Sequence, residues 1–388
     1  MSHALKEFRA LVMASPALQA GLMAERDLDV FCARALDFAA RAGIDLRRRD
    51  IETPSDPAGV MRFSPKPADG EAWPPAGWLP VGMAMDAAGP IVAWHCFDGI
   101  ALGTPFFEDA ATVSRSLPFN RALGYRMPLS AMMKNAPPRP HPLGLIFHLS
   151  RCGSTLVHRM LGAGAMVASL SEVPIFDEAI QFCLNWPGPQ ESKVKLLQTI
   201  AAGLGNASGE LPLVLKLDAW HILSWPLLRA AFPGTSAIFL CREPAEILVS
   251  QQRMRGIQAV PQPLIAALCG MGDYGAFGID EYCAHFLAAS CRAAAEAARA
   301  GALRVIGYKG LPRAVFTRLL PYFGLDADDA ALERMREAAR VDSKAPDKIY
   351  APDSEEKMRA AGETLLALSE RIVGPAYREL EAFAAWTR

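Results

Sequence analysis

The pattern of apolar and polar positions divides the chain into three stretches, of which the first is predicted to be helical. Apolar residues near the start of the chain recur at helical spacing on one face, at Leu5, Phe8, Leu11 and Val12. A further amphipathic segment runs from Asp29 to Ala42 and stops at Gly43. Residues 1–53 are therefore expected to form a small helical unit.

The second stretch, residues 54–142, is rich in proline. It holds 15 of the 30 prolines in 89 residues, and proline interrupts both helices and the ladders of sheets. Ile91–Phe97 is predicted to be a strand, while Pro105 to Asp109 has the proline and acidic residues typical of a helix start. We expect no long regular elements here, and no residue of this stretch indicates a particular chemistry.

The third stretch, residues 143–388, alternates apolar strand candidates with helical segments. The strand candidates are Leu143–Leu149, Leu213–Leu217, Ser236–Cys241 and Leu303–Tyr308. Apolar strands separated by helices predict an α/β domain with a parallel sheet flanked by helices. Ligands of such sheets bind at the carboxyl ends of the strands, so the residues that follow these strands are the candidates for function.

Composition narrows the class of protein. The 388 residues include 40 basic and 41 acidic side chains, so the overall charge does not favour a nucleic-acid partner. No apolar run reaches the roughly 18 residues of a membrane span, and no secretion signal is evident, so we expect a cytoplasmic protein. The eight cysteines form no C-x-x-C pair, which argues against a zinc site and against a disulfide framework.

A candidate phosphate-binding loop follows the first strand of the third stretch. Its residues are Ser150, Arg151, Cys152, Gly153, Ser154 and Thr155. A helix is predicted to begin here, so its free amides and its dipole would face an anion. Gly153 permits close approach of the backbone, Arg151 adds positive charge, and the hydroxyls of Ser154 and Thr155 can donate to phosphate oxygens. The same pattern also fits an ordinary capped helix.

A second candidate motif follows the strand Ser236–Cys241. Arg242 stands at the end of that strand, Pro244 is placed to start a helix, and Ser250 comes two turns later. Arg242 and Ser250 could then bind one phosphate, the first through a forked ion pair and the second through its hydroxyl. The alternative is a surface ion pair between Arg242 and a neighbouring glutamate.

In this order the two motifs resemble those of the sulfotransferase family, whose members use 3′-phosphoadenosine 5′-phosphosulfate as the donor. The family's loop for the 5′-phosphosulfate ends in Gly-Ser/Thr-Thr, and its 3′-phosphate motif is Arg-Asp-Pro followed by a Ser. Ser150 stands here where the family usually has Pro, and Cys152 stands where it has a small hydroxyl residue. The resemblance covers roughly residues 143–345 and implies a nucleotide-binding fold of the P-loop type.

Two further segments extend the resemblance. Lys216 and His221 are similar to a strand lysine of the family and the histidine that follows it, with His221 one position farther along. Tyr308 and Lys309 stand where the family has a Tyr-Glu pair, so that lysine replaces the usual glutamate. Tyr308 and Lys309, together with the two motifs, are expected to bind the donor.

The resemblance implies metal-independent in-line transfer of the sulfuryl group to the hydroxyl of a small molecule, sugar or peptide. In the analogous phosphoryl transfers, positioning and charge stabilisation dominate. Arg151 would therefore stabilise charge on the leaving oxygen, assisted by Lys216. The acceptor must lose a proton to a base. We expect Glu172 to be that base and His221 to be auxiliary, because His221 is displaced by one position.

The first stretch carries a short resemblance of its own, to the helical leader segments of certain bacterial ribosomal peptides, a family named after nitrogen-fixation gene clusters. It rests on the segments Phe8–Leu11, Ser15–Leu18 and Ala42–Asp45. An ordinary helical extension is the alternative. Residues 1–53 thus suggest a peptide partner, and we expect the chain before Leu143 to bind acceptor or partner, not donor.

Two other functions remain open. A kinase-like, nucleotide-dependent transferase would share the fold, but the chain lacks the Gly-Lys-Ser/Thr ending of ATP-type loops. A non-catalytic, partner-binding protein would keep the fold without the chemistry. Its support in the sequence is Cys152 and the displaced His221.

Overall fold

The computed structural model describes residues 2–52, 68–207, 209–341 and 353–384. The chain divides into two compact units. Unit 1 consists of Met1–His141 and Val173–Leu211, and unit 2 consists of Pro142–Glu172 and Pro212–Arg388. The helical and proline-rich stretches thus lie in one unit. Residues 173–211, which were expected in the α/β domain, also belong to unit 1.

The strands of the described residues are β1 Trp78–Asp86, β2 Gly89–Cys96, β3 Tyr125–Pro128, β4 Gly144–His148, β5 Ala168–Ser171, β6 Leu213–Lys216, β7 Ser236–Cys241 and β8 Arg304–Gly307. The helices are α1 His3–Ala14, α2 Pro16–Met23, α3 Leu28–Arg41, α4 Arg48–Ile51, α5 Phe107–Ser116, α6 Pro118–Leu123, α7 Leu129–Asn135, α8 Ser154–Gly164, α9 Pro174–Asn185, α10 Gln190–Leu204, α11 Trp225–Ala231, α12 Pro244–Arg253, α13 Pro263–Leu268, α14 Ile279–Arg299, α15 Leu320–Tyr322, α16 Asp329–Arg340, α17 Ser354–Ala360, α18 Glu363–Leu368 and α19 Gly374–Glu381. Single turns of other helix types lie at Gly205–Ala207, Ala219–Ser224, Ile257–Ala259, Tyr274–Ala276, Tyr308–Gly310, Val315–Leu319 and Ser369–Val373. Across the described ranges, no helix is both long enough and apolar enough to cross a membrane.

The predicted helices at the start of unit 1 are confirmed. The side chains of Ser2, Ser15 and Asp27 accept hydrogen bonds from the first free amides of α1, α2 and α3 respectively. After α3 the chain reaches Gly43, whose φ of 74° lies in the left-handed region that glycine adopts without strain. The buried residues of α1 include Leu5, Phe8 and Val12, as the spacing predicts.

The proline-rich stretch contains more regular structure than expected. β1, β2 and β3 form an antiparallel sheet in that order, and α9 and α10 of the same unit pack against β1. The prolines occupy positions that a sheet tolerates, since Pro80 lies at a register shift, Pro90 near the start of β2 and Pro128 at the end of β3. The predicted strand at Ile91–Phe97 and the predicted helix start before Asp109 correspond to β2 and α5.

Unit 2 contains a parallel five-stranded sheet in the order β5-β6-β4-β7-β8. This confirms the predicted α/β class with a parallel sheet flanked by helices. Apolar residues of β4, β7 and β8, such as Ile146, Ile238 and Ile306, pack with α8 and α16 in one buried core. The side chain of Phe147 lies on the opposite face of the sheet, because side chains alternate along a strand. The centre of its ring lies 5.6 Å from that of Trp225 in α11.

The strand order positions the candidate site. β4 is central and pairs with β6 on one side and with β7 on the other. The connections that leave the carboxyl end of β4 and of its neighbours therefore diverge, which opens a crevice at this end of a parallel sheet. Ser150, Lys216 and Arg242 all come at or just after the carboxyl ends of these three strands.

Candidate nucleotide site

The loop between β4 and α8 has a strained backbone that suits an anion. Ser150 has a φ of 64°, Arg151 a φ of 50° and Gly153 a φ of 86°. Each non-glycine residue in this region costs about 1–3 kcal/mol and persists only where surrounding contacts fix it. Left-handed residues in such a turn direct successive amide N–H groups into one concavity, which is a common anion-binding arrangement. α8 begins directly after Gly153, so its free amides adjoin the same concavity.

His148, the last residue of β4, holds the first turn of this loop. Its Nδ1 accepts the amide N–H of Ser150 at 2.9 Å, and its Nε2 donates to the carbonyl oxygen of Leu217 at 2.9 Å. This pair of contacts requires the neutral ring with the proton on Nε2. Complete burial lowers the pKa of His148, and the neighbouring charge of Lys216 lowers it further. The neutral form that the loop needs is thus the form that its surroundings favour.

Gly153 is required by its neighbours as well as by its φ. A Cβ at this position would lie 2.7 Å from Cδ1 of Leu311 and 3.3 Å from Cδ2 of Tyr308. The turn that contains Tyr308 therefore packs directly on the loop. Tyr308, one of the residues expected to bind the nucleotide donor, therefore lies beside the first motif.

The side chain of Cys152 points into the core of unit 2 and not into the concavity of the loop. Its side chain is fully buried in the core with Ile146 and Leu156, and burial raises the pKa of the thiol to about 11. The cysteine is thus a small, neutral core residue, and only its backbone could serve a ligand. Ser154 and Thr155 are also buried, in the first turn of α8.

Two side-chain contacts tie the loop to α12 and to the turn that follows it. The Nη2 of Arg151 donates to the carbonyl oxygen of Met254 at 2.6 Å. Gln251 is buried, and its Nε2 donates to Oγ of Ser150 at 3.3 Å while its Oε1 accepts the amide of Gly256 at 2.8 Å. A serine in place of the proline expected from the resemblance therefore has a partner in this chain.

Arg242 lies at the centre of the second motif and reaches the first. Its Nε donates to Glu246 at 2.5 Å, its Nη1 donates to the carbonyl oxygen of Arg151 at 3.3 Å, and its Nη2 lies 2.5 Å from Asp353. The ring of Tyr308 covers one face of the guanidinium at 3.9 Å. Burial works against the charge of Arg242, but the two carboxylates outweigh this effect and raise its pKa.

Ser250 lies within α12, two turns beyond Arg242. Its Oγ donates to the carbonyl oxygen of Glu246 at 3.0 Å. Glu246 therefore contacts both expected ligands of the 3′-phosphate, through its carboxylate on one side and its carbonyl on the other. The neighbouring-glutamate contact that was the alternative for Arg242 is present, but the pair is buried and does not lie on the surface.

Glu172 and Lys216 form an ion pair at the ends of β5 and β6, in which Lys216 is buried and Glu172 is partly exposed. Nζ of Lys216 contacts Oε1 of Glu172 and lies 3.2 Å from Oγ of Ser171. Nε2 of His148 lies 3.4 Å from the same carboxylate. Burial favours the protonated acid, but Lys216 and His148 outweigh it and hold the pKa of Glu172 well below its usual range. Glu172 also has a left-handed backbone, with a φ of 50°.

The two remaining site candidates lie in separate turns. His221 is buried in the turn Ala219–Ser224, where its Nδ1 accepts the amide of Asp218 at 3.2 Å and its ring packs on Trp220. Lys309 follows Tyr308 and is exposed. The structure thus brings together the two motifs, Tyr308, Glu172 and Lys216.

Sequence reasoning missed four residues of this region: His148, Gln251, Asp353 and Lys357. His148 was visible as a polar residue at the end of an otherwise apolar strand, which is a signal in itself. Gln251 and Lys357 lie in helices, and Asp353 directly precedes one. Their positions look ordinary in the sequence until the fold brings Gln251 to Ser150, Asp353 to Arg242 and Lys357 to Asp353.

The comparisons with known proteins find similarity to solved structures at 15–18% identity. No protein-family model and no curated protein matches the chain. A sulfotransferase domain from the curacin biosynthetic pathway is similar over 63% of this chain and 98% of its own, at 16% identity with a TM-score of 0.39. The sulfotransferase domain of a Synechococcus olefin synthase covers 64% and 97%, at 18% identity with a TM-score of 0.38. A sulfotransferase of Mycobacterium tuberculosis covers 70% and 88%, at 15% identity with a TM-score of 0.35.

Proposed function

We propose that the chain is a sulfotransferase that uses 3′-phosphoadenosine 5′-phosphosulfate as the donor. The observation that carries the proposal is the contact between Nη1 of Arg242 and the carbonyl oxygen of Arg151. It joins two motifs that are 91 residues apart, one suited to a 5′-phosphate and the other to a 3′-phosphate. A nucleotide phosphorylated at both positions is the ligand class that needs both motifs in one crevice.

In this proposal the loop backbone holds the 5′-phosphosulfate. The amides of Gly153, Ser154 and Thr155 would donate to its oxygens, as expected of a helix start that follows left-handed residues. Arg242 and Ser250 would bind the 3′-phosphate, and Tyr308 supports the guanidinium from one face. Lys309 lies beside this region and adds positive charge.

The reaction would be an in-line displacement at sulfur. The acceptor oxygen forms a bond to sulfur, the bond from sulfur to the 5′-phosphate oxygen breaks, and the electron pair of that bond stays with the phosphate. Arg151 and Lys216 are the cations available to stabilise the charge that develops there. The site would act through positioning and charge and would not require a metal.

The proton of the acceptor hydroxyl must pass to a base. Glu172 remains our candidate, because its carboxylate is ionised and adjoins the loop. The contact with Lys216 keeps Glu172 ionised, but it also weakens the affinity of Glu172 for a proton. The same contact gives Glu172 a second role, which is to position Lys216. His221 remains the auxiliary candidate, and its Nδ1 is already used as an acceptor within its own turn.

Nucleotide binding tests the proposal directly. Calorimetry should show that 3′-phosphoadenosine 5′-phosphate binds at least about 10-fold more tightly than adenosine 5′-phosphate. Arg242→Ala should weaken binding of the bisphosphate about 30-fold or more, because a buried charge-assisted contact is lost. The matched control is Arg253→Ala, which changes an exposed arginine at the end of α12, the helix that follows Arg242. Equal affinities of the wild-type protein for the two nucleotides would refute the proposal.

A further inference from the structure

The surroundings of Arg242 contain an acidic residue that a phosphate-binding site does not need. Each of the three nitrogens of the guanidinium has a partner: Glu246 at Nε, the Arg151 carbonyl at Nη1, and Asp353 with Ser354 at Nη2. Tyr308 covers one face. These contacts use four of the five N–H groups of the guanidinium. A 3′-phosphate that binds Arg242 through two N–H groups, as forked pairs do, must therefore replace one of these partners.

The two carboxylates on Arg242 differ in how firmly they are held. Glu246 belongs to the same helix as Ser250, and its side chain is 4% exposed. It also accepts a hydrogen bond from Oγ of Ser354 at 2.9 Å. Asp353 comes from a segment 111 residues farther along the chain, and its side chain is 37% exposed. Asp353 is thus the partner that an incoming phosphate can displace.

The side chain of Asp353 does not cap the helix that it precedes. It occupies the N-cap position of α17, where aspartate commonly accepts hydrogen bonds from the first amides of the helix, yet its side chain makes no capping bond. Its two carboxylate oxygens instead contact Arg242 and Nζ of Lys357, each at 2.5 Å. Lys357 is nearly buried, with 9% of its side chain exposed. The aspartate therefore bridges two cations, as an oxyanion with several acceptor oxygens would.

The charges of this cluster balance only while Asp353 is in place. Arg242 and Lys357 are compensated by Glu246 and Asp353. Without Asp353 the cluster carries one uncompensated positive charge in a largely buried position, which favours an anion. A phosphate group has the charge and the acceptor oxygens to take over both contacts of Asp353.

We propose that the carboxylate of Asp353 occupies the position of the 3′-phosphate and must leave when a nucleotide binds, so that Asp353 sets the affinity for the donor. Once it has left, Lys357 and Ser354 are available to the phosphate beside Arg242. This inference rests on the proposed function, because it takes Arg242 as the ligand of a 3′-phosphate. It adds that the carboxylate of Asp353 competes with the 3′-phosphate of the nucleotide for that position.

Asp353→Asn tests the inference, with Glu356→Gln as the matched control. Both changes remove one negative charge from the same short segment, but Glu356 pairs with Arg253 near the surface. Calorimetry with 3′-phosphoadenosine 5′-phosphate should show about 10-fold tighter binding to Asp353→Asn than to the wild type, and a change of less than about twofold for Glu356→Gln. Adenosine 5′-phosphate, which lacks the 3′-phosphate, should bind all three proteins alike.

Adding Lys357→Gln to Asp353→Asn extends the test. If Lys357 takes up the phosphate, this change should remove most of the gain in affinity. Unchanged or weaker binding of the bisphosphate to a folded Asp353→Asn variant would overturn the inference and leave the proposed function intact. Failure of the wild type to distinguish the two nucleotides would instead overturn the proposed function, and the inference with it.

Discussion

At the scale of single residues, the properties of the site depend on how Arg242 pairs with Glu246 and Asp353 and how Lys216 pairs with Glu172. Arg151 and Arg242 were each identified from their place after a strand, and Lys216 was identified from its resemblance to a strand lysine of the sulfotransferase family. The left-handed φ of Ser150 and Arg151 could not be predicted, since neither residue type favours that conformation. It depends on His148 and Gln251, which meet the loop only in the folded chain. The conformation of this loop also directs the side chain of Cys152 into the core.

The pairing of Glu172 leads to a prediction about acid stability. A carboxyl group whose pKa is lower in the folded than in the unfolded chain binds fewer protons when folded, so unfolding in acid takes up a proton. Its contribution to stability is complete above its usual pKa near 4.5 and is lost as the pH falls towards the lower folded value. Glu172→Gln should therefore flatten the loss of stability below about pH 4.5.

The same substitution should lower the free energy of unfolding at pH 7 by about 3 kcal/mol, because it leaves Lys216 buried without its carboxylate. Denaturant unfolding at several pH values measures both effects. Glu296→Gln is the control, since Glu296 is an exposed glutamate of α14. If Glu172→Gln and the control follow the wild-type pH dependence equally, the ion pair does not contribute to stability as described.

At the scale of elements, the strands of the parallel sheet with strong apolar runs were predictable, and the one without such a run was not. β7 coincides with its prediction, and β4, β6 and β8 differ from theirs by one residue at one or both ends. β5 was missed because Ala168–Ser171 contains two serines and an alanine, and its place in the sheet comes from pairing with β6. Glu172 directly follows β5. Because this strand was not predicted, the sequence could not show that Glu172 pairs with Lys216.

The start of α8 allows a test that compares two glycines of one loop–helix element. Gly153→Ala should destabilise the protein by about 1–3 kcal/mol and weaken binding of 3′-phosphoadenosine 5′-phosphate, because the new Cβ meets Leu311 and the φ of 86° strains any other residue. Gly162→Ala is the matched control. Its Cβ would meet nothing within 4 Å, and alanine in a helix interior is about 0.5–1 kcal/mol better than glycine.

Thermal unfolding and calorimetry on the two variants check this prediction. The two changes add the same methyl group, so they differ only in backbone conformation and surroundings. If Gly153→Ala kept wild-type stability and nucleotide affinity, the loop would not depend on the left-handed glycine and the role assigned to its conformation would be wrong.

At the scale of the whole molecule, the chain passes from unit 2 to unit 1 and back between β5 and β6. All residues expected to bind the donor follow Leu143, which suggests a truncated chain that begins near Ala136 as a test of the donor site. The structure argues against that boundary, because α9 and α10 remain in such a chain while β1, against which they pack, is removed. The interruption was not visible in the sequence, since the helices of residues 173–211 look like crossover helices of the sheet.

A double excision should succeed where the single truncation fails. In this variant, residues 1–141 are removed and residues 173–211 are replaced with a flexible linker of about a dozen residues. Parallel strands need a connection of at least about this length. The variant keeps every residue that is proposed to bind the donor. We expect this chain to be monomeric and to bind 3′-phosphoadenosine 5′-phosphate within about fivefold of the full protein. The chain that begins at Ala136 should instead aggregate, because apolar faces of α9 and α10 lose their packing. Size-exclusion chromatography and calorimetry compare the two, and a soluble, nucleotide-binding single truncation would show that residues 173–211 do not depend on the rest of unit 1.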